Sequence, residues 1–191
     1  MKKLITLAFV FLSFNLFAQD SLKTFNYERI NTTIAGMKVL GSWGLTNVAI
    51  GVAGMSASEG GANKSFYKMT TIFGAVNVGA AVLGYLQNSP SKIYASKTLK
   101  EQKKIELTFL INGGLDIAYL GVGICLNNRG NNGNPNQQGY GRAMIVQSAF
   151  LLLFDSTMYG LHRSTGNKLR RFLEKHPIAF DGRSVGIGLT I

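Results

Sequence analysis

Residues 39–57, VLGSWGLTNVAIGVAGMSA, contain no lysine, arginine, aspartate or glutamate. The run is close to the roughly 20 apolar residues that a helix needs to cross a bilayer. A second run, MTTIFGAVNVGAAVLGYL at residues 69–86, is equally uncharged. A helix on the surface of a soluble protein carries a polar face opposite its core stripe, and neither run has one. Small residues also recur at four-residue spacing, in Asn47/Gly51, Ala49/Ala53, Ala80/Gly84 and Gly114/Ala118. That interval lets helix backbones approach closely in lipid, whereas in water each glycine weakens a helix by up to about 1 kcal/mol relative to alanine. A soluble four-helix bundle is the competing reading, because Asn, Asp, Gln147 and Glu106 interrupt the apolar runs. The missing charged face decides for the membrane.

Working outward from these runs, helices are expected over about residues 36–55, 66–87, 105–126 and 141–162. Residues 56–62 form a small-residue loop, and Asn88-Ser89-Pro90 breaks the chain before a basic connector, 91–104, that has some helical character. Residues 127–140 are rich in Asn and Gly and read as a mobile loop. The fold class is therefore all-α, an antiparallel four-helix transmembrane bundle. A signal peptide (1–18) and a polar segment (19–35) precede the membrane domain (36–162), and a basic C-terminal tail (163–191) follows it. In that tail Leu169 to Glu174 suit a short amphipathic helix. Residues 185–191 alternate like a strand that has no evident partner.

The signal peptide rests on Lys2 and Lys3 ahead of an apolar stretch at 4–12, with Leu16-Phe17-Ala18 as the cleavage site before Gln19. Cleavage would lower the formal net charge of +11 by two. No basic stripe interleaved with aromatics accompanies that charge, so nucleic acid is not an expected partner. A basic rim facing lipid phosphates accounts for it better. Orientation is in conflict. A cleaved signal puts the basic connector and tail outside, while the positive-inside rule places them inside; the expectation here follows the signal. The lone Cys125 has no internal disulfide partner and acts as a small apolar residue.

Each apolar run carries one polar group near its midpoint: Asn47, Asn77, Asp116 and Asp155. Three of them read Gly-x-x-Asn/Asp, at residues 44–47, 74–77 and 113–116. In antiparallel helices they would fall at about one depth as a polar layer. A buried polar group without a partner costs roughly 1–3 kcal/mol, so the layer should be hydrogen-bonded or functional. Tyr119 lies beside Asp116, and Asp155, Tyr159 and His162 at i, i+4 and i+7 share one helix face. The layer is either packing glue or a proton, cation or ligand site. No metal-ligand spacing, nucleophile motif or cofactor fingerprint accompanies it, so neither a cofactor nor a catalytic residue is assigned. Trp43, Tyr85 and Tyr140 are candidate interfacial anchors.

The segments at residues 37–47, 65–70, 76–77, 112–119, 139–142 and 147–155 resemble an uncharacterised family of small bacterial envelope proteins. Asn112-Gly113-Gly114-Leu115-Asp116 and Gln147-Ser148-Ala149-Phe150-Leu151-Leu152-Leu153-Phe154-Asp155 are among the segments that carry the likeness. Residues 70–72 depart from the family's pattern, which has a more polar and aromatic stretch there. The family is a domain of unknown function with four membrane helices. The resemblance implies a multi-pass protein of the bacterial inner membrane, with the lipid bilayer as partner and other envelope proteins or a second copy as further candidates. It implies no activity. A structural or interaction role leads, with a small transporter, channel or proton-coupled module as the alternative and a membrane enzyme using Asp116 and Asp155 third.

Overall fold

The computed structural model describes residues 2–88 and 97–175, with the strand residues 178–180 and 185–187. Four helices follow in order: α1 (Lys2–Ala57), α2 (Gly61–Gln87), α3 (Thr98–Asn131) and α4 (Pro135–Lys175). Each contains a stretch long and apolar enough to cross a membrane. The bundle is antiparallel, with α1 packed along α2, α3 along α4, and α4 also against α2. By contrast α2 and α3 barely touch, which leaves one side of the bundle open.

Several boundaries differ from the sequence expectation. The Asn/Gly-rich stretch is not a long loop: α3 continues to Asn131 and α4 begins at Pro135. Gly133 takes a positive φ of 128° in the short turn between them, a backbone conformation that side chains disfavour. Helix four does not stop at His162 but runs to Lys175, absorbing the first part of the expected tail. The second half of the connector belongs to α3 from Thr98 onward, and residues 89–96 lie outside the described set. Within the tail, β2 (Val185–Ile187) pairs antiparallel with β1 (Ile178–Phe180), which supplies the partner the sequence did not reveal.

Polarity is inverted relative to a soluble domain. Leu45, Val76, Leu86, Ile117 and Leu153 are exposed, while Asn47, Asn77, Asp116, Gln147 and Asp155 are buried. Water would penalise that outer apolar belt, and lipid would not. The belt coincides with residues 39–57, 69–86, 107–128 and 143–161, where Asp116 and Asp155 are the only charged types.

Backbone contact, made possible by glycine, holds the helix pairs. A side-chain carbon on Gly44 would lie 2.8 Å from the Gly74 carbonyl oxygen, and one on Gly74 would lie 2.7 Å from that of Gly44. Gly123 and Gly141 do the same between α3 and α4, at 3.1 and 2.6 Å. Of the small-residue pairs read from the sequence, Gly51 and Gly84 lie in helix contacts, against Thr71 and Met37. Ala49 and Ala53 face outward, and nothing approaches Gly114. Along α3 the buried positions Gln102, Glu106, Phe109, Asp116, Gly123 and Gly130 step at three, four or seven residues, a narrow heptad seam laid against α4.

Below the apolar belt α2 ends at Gln87, but α1, α3 and α4 continue as a polar three-helix extension. Asn26 Nδ2 donates to Thr98 Oγ1 at 2.6 Å, and Gln102 Nε2 to the His162 carbonyl at 2.6 Å. Glu28 accepts from Thr165 at 3.0 Å and pairs with Lys168 at 3.6 Å. Segment 19–35 thus ends as packed helix; its Leu22, Asn26, Ile30 and Thr33 are buried.

Candidate functional site

The polar groups read as one layer separate into three sets. Asn47 belongs to the first. Its Oδ1 accepts from Gln147 Nε2 at 2.6 Å, and Gln147 Oε1 in turn accepts from Trp43 Nε1 at 3.0 Å. The Trp43 ring stacks on Phe150 with centroids 4.0 Å apart. Trp43 thus anchors α1 to α4, about one turn inside the edge of the apolar belt. This set is internally satisfied and does the work of packing.

The second set comprises Asn77, Asn112, Asp116 and Asp155, from α2, α3 and α4. Asp116 and Asp155, with Asn77 and Asn112, line one hollow between the helices. Contacts Thr33–His162 and Asn47–Gln147 fix the register of α1 against α4. That register puts Asp155 about 11 Å along the axis from Asn47, at 1.5 Å per residue. The unequal sequence intervals between the four polar residues reflect this offset.

The second set closes the inner end of a cavity of about 680 Å³ between α2 and α3, where the bundle is open. Along its walls Met37, Leu83, Phe109, Leu115, Leu151 and Phe154 stand with the hydroxyl residues Thr33 and Thr108. The outer rim carries Arg29, Gln87, Asn88, Glu101 and Lys104. Tyr119 lines the inner end and meets Phe73 of α2 edge-on at 6.4 Å, so the two rings bridge the gap between the helices. Three buried polar atoms on residues of this lining have no partner: Asn77 Nδ2 and Asp116 Oδ2 at the inner end, and Arg29 Nε at the rim. Such orphans are rare in folded proteins, because each costs roughly 1–3 kcal/mol.

His162 forms the third set, outside the apolar belt. It is fully buried, stacks on Phe109 with centroids 5.4 Å apart, and meets Thr33 Oγ1 through Nε2 at 3.4 Å. Asp155 and His162 thus share a face of α4 but serve different surroundings. Tyr159 between them packs against the cluster of Met37, Leu40, Phe109 and Met158. Close by, Glu106 binds Arg163 at 3.1 Å and Arg170 at 3.2 Å. Burial would raise the Glu106 carboxyl, but hydrogen bonds from Arg163, Gln102 and Arg170 outweigh it and hold the group below the usual carboxylate range. Gly166 leaves the space against α4 that this carboxylate occupies.

Asn112 and Gln147 were legible only as polar interruptions, although Asn112 stands one turn before Asp116 on the same helix face, a spacing that marks it as a neighbour. Among the described residues, no three His, Cys, Asp or Glu side chains gather closely enough to hold a metal ion. No curated protein and no solved structure matches the chain. A family model matches residues 39–156, a span that contains Asn47, Asn77, Asp116 and Asp155 and stops short of Tyr159 and His162. The chain belongs to that family, a family of unknown function designated DUF6992.

Proposed function

We propose that this is a multi-pass membrane protein whose bundle takes up a small solute through the cavity between α2 and α3, a binding-module reading that treats the aspartates as a ligand site and stands ahead of the structural role expected from the sequence. The observation that supports it is the cavity itself: about 680 Å³, with an apolar stretch between a charged rim and an inner end lined by Asn77, Asn112, Asp116 and Asp155. Ligand sites have this character, a largely preformed apolar hollow with a few convergent polar groups. Ionisable groups inside a membrane are costly, and they mark functional sites by default.

In this reading the outer apolar belt meets lipid, and the polar extension of α1, α3 and α4 stands in water beside the cavity mouth. The test is side-chain accessibility in reconstituted vesicles, in a Cys125→Ser background. Ala80 lines the cavity, whereas Ala49 faces outward within the apolar belt. Ala80→Cys should react with a water-soluble cationic thiol reagent, and Ala49→Cys should not. An inert Ala80→Cys would mean that the hollow is dry or lipid-filled, and the structural reading would replace this one.

A further inference from the structure

The geometry points to a monovalent organic amine with an apolar body as the ligand of this cavity, its ammonium seated on Asp116 and Asp155. The inference rests on the binding-module reading above and adds the chemistry of the ligand to it.

Charge is the first argument. Asp116 and Asp155 line the inner end of the cavity together, and two acids in one buried site do not both ionise freely, so a single negative charge is the form a cation stabilises. The cations of the cavity, Arg29 and Lys104, stand at its mouth. Lys104 precedes Asp116 by 12 residues on the same helix, about 18 Å along the axis at 1.5 Å per residue. The inner negative charge therefore has no protein counter-ion within contact, in surroundings where an uncompensated charge is expensive. A ligand of charge +1 removes that cost, whereas an anion adds to it.

Hydrogen bonding is the second argument. Asp116 lines the inner end of the hollow, and its Oδ2, packed out of reach of solvent, is an acceptor with no donor. An ammonium group supplies up to three donors, enough for Asp116, Asp155 and the Asn112 carbonyl together. The free Asn77 Nδ2 then offers one donor to an oxygen close to the amine.

Size and lining are the third argument. A bare inorganic cation occupies a small fraction of about 680 Å³, whereas pockets of roughly 300–1,000 Å³ suit organic molecules. Phe109, Phe154, Leu83 and Leu151 lie between the polar end and the mouth, where an apolar body would rest.

The experiment compares three probes of one shape, 4-phenylbutylamine, 4-phenylbutanol and 4-phenylbutyrate, titrated into the purified full-length protein in detergent by calorimetry and thermal shift. The amine should bind saturably, at least tenfold tighter than the alcohol, with no binding by the carboxylate. Asp116→Asn combined with Asp155→Asn should abolish the amine preference, and Ala80→Trp, which fills the hollow, should abolish all saturable binding. Saturable binding of alcohol and amine with equal affinity, lost in Ala80→Trp, would overturn the amine inference and leave the binding-module reading standing. Absence of saturable binding by every probe would count against both. The wild-type ranking of the three probes decides the question even where a variant fails to fold.

Discussion

Asn47 and Asn77 occupy matched places: each follows a helix-crossing glycine by three residues, and each is 5% exposed. Their partners differ. Asn47 accepts from Gln147 across the bundle at 2.6 Å, while Asn77 lines the cavity and its Nδ2 has no partner. Replacement by leucine, close in size, therefore has opposite consequences. Asn47→Leu removes an interhelical hydrogen bond and strands the Gln147 amide, a loss of about 0.6–1.7 kcal/mol by the values measured within membranes. Asn77→Leu removes a buried donor that was never satisfied, so stability should hold or rise by up to about 1 kcal/mol. Unfolding in mixed micelles of dodecyl maltoside and increasing SDS measures both. Trp43, the sole tryptophan, stacks on Phe150 and serves as the fluorescent reporter. Equal destabilisation by the two substitutions would refute the separation of the polar residues into a packing set and a cavity set.

Membrane integration predicts that the protein stays in the pellet through alkaline carbonate washing and dissolves only in detergent; recovery in the soluble fraction would remove the lipid-facing account of the apolar belt. Glu106→Gln should cost about 1.5–3 kcal/mol, the worth of hydrogen bonds to charged groups, because Arg163 and Arg170 lose their carboxylate. Since the Glu106 carboxyl is held below its ordinary value, its contribution is complete above about pH 4.5 and declines as pH falls through the lowered value; denaturation followed from neutral to acid pH should show that decline in the wild type and not in the variant. Gly44→Val should destabilise by about 1–3 kcal/mol through overpacking against the Gly74 carbonyl. Gly113→Ala, with nothing near its side chain, should instead stabilise α3 by up to about 1 kcal/mol in the same detergent titration.

Much of the architecture was legible because lipid imposes a simple rule: charge-free runs such as 39–57 and 69–86 can only be helices with their apolar sides outward. The helix ends were harder to read. Residues 127–140 look like a loop by composition, yet the antiparallel packing of α3 on α4, with Gly123 and Gly141 in backbone contact, carries both helices almost to the turn. The extension below the belt was missed for a related reason. Asn26, Gln102 and Thr165 are unremarkable polar residues in isolation, and only the three helices together give them partners. Of the site, the chemistry-bearing residues were visible as polar interruptions, but their grouping was not. Whether Asn47 or Asn77 joins the aspartates depends on the rotation of α1 and α2 about the Gly44–Gly74 crossing, and two stretches of near-identical pattern do not encode that difference locally.

The most direct test is infrared spectroscopy of the protein in lipid, during exchange from H2O to D2O. The account predicts a carboxylic-acid C=O band from a proton held where Asp116 and Asp155 line the cavity together, absent in Asp155→Asn, that shifts as soon as the solvent is exchanged because water reaches the inner end of the cavity. A spectrum without that band, or a band that Asp155→Asn removes but D2O leaves unmoved, would contradict it.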